Sequence, residues 1–314
     1  MRVVCPLHNT DLVREHALNN RVEYWGNYGA FVARALLTLD IPVVAPEKPV
    51  DHFVIDWHFD DGGRLRTGVS YSDFARIFDA AEANGIQAMF KQRCHPARAT
   101  GATPPVPIAA GGFGLAVAST YGDNDAFIAH DLPRLRRIKD EEPQATTVFF
   151  NSGHFRTVGK TAPDNYPNRR SFGAALSGGP VQPSGLWHEN VARSAWVLNL
   201  CGSGNSIDRK VVELCAIGCA IVSDRGLEDL ELPYGKRFVH GENVWFVDEP
   251  QELQDVLEEV PREVWRRLVD GSRDLYETCF RPAALGRWYL SVAQEWGNRL
   301  RLEQSSGEVI NHGS

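Results

Sequence analysis

Residues 195–224, AWVLNLCGSGNSIDRKVVELCAIGCAIVSD, constrain the fold of this chain more than any other stretch. The run 195–200 is apolar at nearly every position, which fits a strand covered on both faces better than one that alternates between core and solvent. A Gly/Ser/Asn turn follows at 201–205, then a helix over 207–217 and a second apolar strand over 219–223. Two covered strands joined through a helix make a βαβ unit. Such a unit calls for a parallel sheet with helices packed on it.

The same alternation extends to either side. Residues 146–151 (TTVFFN) are rich in strand formers and end in a turn at 152–154. A helix fits 187–194, and short strands fit 238–240 and 244–247. Pro250 and Pro261 open helices over 252–259 and from 262 to about 280, since proline is tolerated in a first turn. A last helix over 283–301 carries Trp288, Tyr289, Val292 and Trp296.

In the first half, strands fit 2–5, 41–45, 52–59 and 86–91, and helices fit 28–39 and 73–84. Ser72 caps the second of these helices and Asn84-Gly85 ends it. Residues 96–125, rich in Pro, Gly, Ala and Thr, read as a long connection with one strand near 115–118. The charged segment 132–143 places a domain boundary near 140. The expected fold class is α/β, with Rossmann-like domains over residues 1–140 and 141–282 and a polar tail at 304–314.

Composition narrows the function classes. The chain has 314 residues, which suits two domains. Its 43% hydrophobic content, with 28 glycines and 18 prolines, excludes a disordered or fibrous chain. The longest nearly uncharged apolar run, 106–119, falls short of the ~20 residues that cross a bilayer, so no membrane insertion is expected. The N-terminus shows no apolar block before its first charges, so a cytoplasmic location is expected. A net charge of −7 disfavours a duplex-binding role that rests on neutralising phosphates. Cys5, Cys94, Cys201, Cys215, Cys219 and Cys279 lie in mostly apolar contexts. Only Cys215 and Cys219 are closely spaced, and no second Cys/His pair answers them, so buried thiols are expected rather than zinc.

Two segments carry candidate chemistry. In the turn Ser203-Gly204-Asn205-Ser206, backbone N–H groups can approach an anion closely, and the helix that follows points its positive end the same way. Arg209 and Lys210 in the first turn of that helix oppose its dipole unless an anion is present, and Asp208 offsets them in part. Glu213 lies one turn after Arg209 on the same face, where a ribose with two hydroxyls is a natural partner. Gly202 and Gly204 do not complete the dinucleotide fingerprint, because Ile207 stands where its third glycine belongs, and no Walker lysine follows. The second segment, 151–160, again runs from a strand end into Gly153 and two cations, Arg156 and Lys160. Loops at the exits of parallel strands converge on one crevice, so both segments are expected to face it. Spacing alone is equally compatible with ordinary βα turns bearing solvated cations.

Residues 146–280 resemble the nucleotide-sugar-binding half of GT-B glycosyltransferases, near the family-1/4-like and spore-maturation groups, with an exostosin-like element. VFFNSGHFRTVGK is similar to the opening strand of that half. Glu213-Leu-Cys-Ala-Ile-Gly218 followed by Ala220-Ile-Val-Ser-Asp224 is similar to its "E-x-x-A-x-G" helix end and the strand after it. NVWFVDEPQELQDVLEEV is similar to its later strand, turn and helix. The resemblance implies a cleft between two Rossmann-like domains and a C-terminal helix, 283–303, that crosses back to the first. It implies that Arg156 and Lys160 bind the donor diphosphate, that Glu213 binds the donor ribose, and that Asn205 and Ser206 approach the phosphates or the sugar. Many retaining members carry a second glutamate eight positions earlier; here that position is Asn205, which leaves the stereochemistry open.

The first half should then hold the acceptor, whether a glycan, a small molecule or a modified nucleic-acid base. An inverting mechanism needs a general base, for which His16 and Asp11 are the candidates, although either residue can equally be a cap or surface group. Trp25 and Tyr28 would suit sugar stacking or the core. His52, Asp56, His58 and Asp60 alternate on one strand face, but a half-exposed edge explains them without a metal. The expected function is transfer of a sugar from a nucleotide-diphosphate sugar, with no cofactor or metal required. A nucleotide-sugar epimerase of the same fold and a non-catalytic nucleotide-binding protein are the alternatives.

Overall fold

The structure is a computed structural model that describes residues 3–4, 43–44, 89–91, 108–110, 127–141, 145–149, 172, 187–200, 209–228, 230–288, 290–292 and 295. The chain divides into two compact units. One comprises Met1–Ala17, Trp25–Gly112 and Pro282–Ser314, and the other Leu18–Tyr24 and Phe113–Arg281. Residues 113–140 therefore group with the second half of the chain rather than with the first.

In the first unit, strand β1 (Val3–Val4) pairs in parallel with β2 (Val43–Val44). Strand β3 (Met89–Lys91) pairs in parallel with β4 (Ile108–Ala110). The helices expected over 28–39 and 73–84 and the strands expected over 52–59 and near 115–118 lie outside the described residues. Residues 282–288 and 290–292 are helical.

The second unit is built on four parallel strands in the order β5 (Ala145–Phe149), β6 (Ser194–Asn199), β7 (Ala220–Ser223) and β8 (Trp245–Phe246). The register runs Trp196 to Ala220, Asn199 to Ser223 and Ser223 to Phe246, so the strands exit on one side. Helix α1 (Leu132–Glu141), entered through a π-turn at Phe127–Asp131, packs with α2 (Trp187–Arg193) and α3 (Arg209–Ile217). Helix α4 (Glu252–Glu259) and helix α5 (Arg262–Leu275) follow β8, and α5 runs into a π-turn at Tyr276–Phe280.

Side-chain alternation along the strands explains the layers. Trp196, Leu198 and Leu200 share a face of β6, and Ala220 and Val222 continue it on β7. They form a core with Leu253 and Val256 of α4 and Leu268 and Val269 of α5. Val197 and Ile221 are buried on the opposite face.

Helix α3 ends as its small-residue motif requires. The N–H of Cys219 donates to the Leu214 carbonyl at 3.0 Å and the N–H of Gly218 to that of Cys215 at 3.2 Å, a Schellman closure. Gly218 has φ of +87°, and a Cβ there would lie 2.1 Å from Nε of Arg273. Glycine is required at this position by both conformation and space. The strand expected at 238–240 is reduced to a single bridge between His240 and Val244, because residues 241–243 turn, with Gly241 at φ +75°.

The entering ends of β6 and β7 are held by side chains from α1 and α5. Nζ of Lys139 donates to the Ser194 carbonyl, Nε1 of Trp265 to that of Ala195 at 2.8 Å, and Oγ of Ser272 to that of Cys219 at 3.0 Å. Arg136 and Arg273 reach the carbonyls of Ala216 and Ile217 in the turn between α3 and β7. Lys139 is 1% exposed, and burial holds its ammonium below its ordinary pKa. Among the described residues, no helix is long and apolar enough to cross a membrane.

Candidate functional site

The exits of β6, β7 and β8 bring polar groups to one end of the sheet. Asn199 closes β6 and Ser223 closes β7. They are register partners, and Nδ2 of Asn199 lies 3.3 Å from Oγ of Ser223. Both are buried, as is Asp224. A polar side chain at the end of a buried strand must find a partner, and each of the first two finds the other.

Just beyond them, Arg225 is clasped by carboxylates from the next strand exit. Its Nε lies 2.7 Å from Oδ1 of Asp248 and its Nη2 lies 3.1 Å from Oδ2, a fork-to-fork pair, while Nη1 meets Glu228 at 3.0 Å. These hydrogen bonds hold the Asp248 carboxyl below its ordinary pKa and raise that of Arg225. Glu252 caps the start of α4, with its carboxylate accepting from the N–H groups of Asp248 and Glu249 at 3.2 Å each. Beside this cluster, Nδ1 of His240 accepts from the N–H of Phe246 at 3.0 Å, and the ring lies 4.4 Å from that of Trp245. Burial, then the Arg225 charge, holds the His240 imidazole below its ordinary pKa.

Glu213 occupies a different environment. Val211 through Ile217 are all buried, and Glu213 is the one charged side chain among them, with no exposed surface. Its Oε2 lies 2.9 Å from Nε2 of His188, in the first turn of α2. The His188 ring packs 5.0 Å from Phe127 at 41°. Leaving a carboxylate alone in an apolar layer is costly, and the imidazole supplies a charge-compatible donor.

Of the expected site residues, Glu213 is placed in full, and Arg209 is placed by its backbone as the first residue of α3. Gly153, Arg156, Lys160, Ser203, Gly204, Asn205 and Ser206 lie outside the described residues, as do the candidate bases His16 and Asp11. The structure adds His188, Asn199, Ser223, Arg225 and Asp248. Asn199 carries a signal in the sequence, as the one amide inside an apolar run. His188 carries none, because its partner lies 25 residues away on another helix. Among the described residues, no group of three or more His, Cys, Asp or Glu is placed to hold a metal ion. Comparison of the chain with protein-family models and with curated proteins found no match.

Proposed function

We propose that this chain is a Leloir-type glycosyltransferase of GT-B architecture, built from two Rossmann-like domains. It would transfer a sugar from a nucleotide-diphosphate sugar to an acceptor hydroxyl. One observation carries the reading: β6, α3 and β7 form a parallel βαβ unit whose helix begins past the strand exits and ends at Gly218, with Glu213 buried on it. In open parallel sheets, ligands bind outside the strand exits. In sequence, the turn before α3 follows β6 and carries Ser203–Ser206, and the segment after β5 carries Gly153, Arg156 and Lys160.

The proposed chemistry needs little covalent work from the protein. Arg156, Lys160 and Arg209 would steady the charge that builds on the departing diphosphate. Glu213 would accept hydrogen bonds from the ribose. The first domain would hold the acceptor, with His16 or Asp11 as base. Catalysis then comes from alignment and charge stabilisation, with no resident cofactor. The free thiols Cys215, Cys219 and Cys279 suit a reducing compartment, and we place the protein in the cytoplasm.

Thermal shift of the full chain tests the reading. UDP or GDP at saturating concentration raises the melting midpoint, and NAD does not. Arg156→Ala and Lys160→Ala each weaken nucleoside diphosphate binding about tenfold while leaving the fold intact. Wild-type affinity in both variants removes the site assignment, and product formed from donor alone replaces the transferase with an epimerase.

A further inference from the structure

Among the described residues, β8 is the outer strand of its sheet and pairs with β7 alone. The N–H of Val247 donates to the Ser223 carbonyl on β7 at 2.9 Å. Successive residues of a strand direct their backbone groups to opposite sides, so the N–H of Phe246 points away from β7. An edge N–H left open is a template for a further strand. Here a side chain meets it: Nδ1 of His240 accepts from the Phe246 N–H at 3.0 Å.

A backbone N–H can only donate, so this bond exists only while Nδ1 keeps its lone pair. The neutral ring then carries its proton on Nε2. A protonated imidazole has donors at both nitrogens and no acceptor, so Nδ1–H and the Phe246 N–H would oppose each other. His240 is exposed, and bulk solvent can supply that proton.

The surroundings set the direction. The ring lies 4.4 Å from that of Trp245 and 6.3 Å from that of Phe246, both uncharged. From the turn after β7, Arg225 and Glu228 act on it in opposite senses, and Arg225 has the larger effect. Arg225 is itself forked to Asp248 at the exit of β8. From α5, Nε of Arg267 donates to the carbonyl of the next residue, Gly241, at 2.7 Å. Burial and the Arg225 charge therefore favour the uncharged ring.

The rest of the turn has anchors of another kind. Oδ1 of Asn243 accepts from the Val239 N–H at 2.9 Å, and its Nδ2 donates to the Arg237 carbonyl at 3.2 Å. A Cβ at Gly271 of α5 would lie 2.2 Å from the Glu242 carbonyl oxygen, so the turn sits directly on the helix backbone. Within segment 237–244, His240 is the one residue whose side chain ordinarily titrates between about pH 5 and 8.

We propose that His240 is a pH-sensitive latch on the edge of the sheet: the unprotonated ring covers the Phe246 N–H, and the protonated ring releases it while the turn stays seated on α5. The latch needs no ligand and is independent of the nucleotide reading.

Amide exchange and imidazole titration, both followed by NMR on the full chain, test it. His240 should take up its proton below its ordinary value of 6.5. Protection of the Phe246 amide should fall about fivefold with the same midpoint, the size of one hydrogen bond. The Val247 amide, bound within the ladder, should keep its protection over that range. His240→Gln offers an uncharged acceptor in Oε1 and should hold Phe246 protected in acid.

Equal loss at Phe246 and Val247 is general acid unfolding and overturns the inference. So does a Phe246 amide that is unprotected at neutral pH or stays protected after His240 has titrated, and so does a ring that remains neutral until the chain unfolds. The wild-type pH profile persisting in His240→Gln assigns the effect to another group and overturns it as well. Should that variant not melt cooperatively, the two amides of the wild type decide alone.

Discussion

The two ends of the four-stranded sheet are held by different sets of contacts. At the entering end, strand carbonyls are met by side chains from distant helices: Lys139 on Ser194, Trp265 on Ala195 and Ser272 on Cys219. These donors are buried or half-buried, and each joins a helix to a strand 53 to 70 residues away in sequence. At the exit end some polar side chains meet one another, as Asn199 meets Ser223 and Arg225 meets Asp248, while His240 and Glu252 accept from backbone N–H groups. Donors given to these carbonyls tie helices to the sheet. Side chains paired only with other side chains can exchange those partners for a ligand. The difference separates the end that holds the unit together from the end suited to chemistry.

The largest effect that would break this comparison lies at the entering end. Trp265→Ala removes the indole donor to Ala195 and a ring that packs on the sheet core, and should cost about 3 kcal/mol in urea unfolding. In protein that remains folded, nucleotide affinity should be unchanged. A parallel loss of affinity would show that the two ends are not separable.

A smaller effect sharpens the same contrast through pH. Burial raises the Cys219 thiol from its ordinary value near 9 to about 11. The unfolded chain loses this proton first as pH rises, so the native state gives up stability between about pH 9 and 11 and keeps it in full below 9. The loss attributable to Cys219 should reach about 1–3 kcal/mol by pH 11. Lys139, whose pKa burial lowers, acts in the opposite sense below its ordinary value of 10.5. The measurement is therefore the difference between wild type and Cys219→Ala in urea unfolding across that range. An equal slope in both would show that the thiol is not dry.

The smallest expected effect is at the exit end. Arg225 and Asp248 are both solvent-exposed, and such pairs add little to stability. Arg225→Gln should leave the melting temperature unchanged. A clear drop in melting temperature would mean that the exit end is also part of the frame.

Much of the second unit was legible in the sequence. The strand expected at 195–200 is Ser194–Asn199, the one at 219–223 is Ala220–Ser223, and the helix at 252–259 has those ends. Unbroken apolar runs and proline starts are local signals, and they survive folding because each element buries the face that its own periodicity defines. Boundaries were less legible where the next residue could belong to either side. The strand at 238–240 contracted to one bridge because Gly241 turns the chain. Helix 132–141, part of the charged segment read as the domain boundary, buries Leu135 and Ile138 and belongs to the second unit. Of the candidate site, the position of Glu213 on its helix was readable from spacing, but its burial was not.

By itself, the sequence determined the parallel βαβ unit, the helix stop at Gly218 and the placement of Glu213 one turn beyond Arg209. Each depends on the order of residues within one or two elements. Only the tertiary structure decided that Glu213 meets His188, that Asn199 meets Ser223, and that Lys139 serves a strand carbonyl. A side chain's partner depends on which distant element is packed beside it, and that is set by burial of the whole apolar surface together rather than by any local pattern.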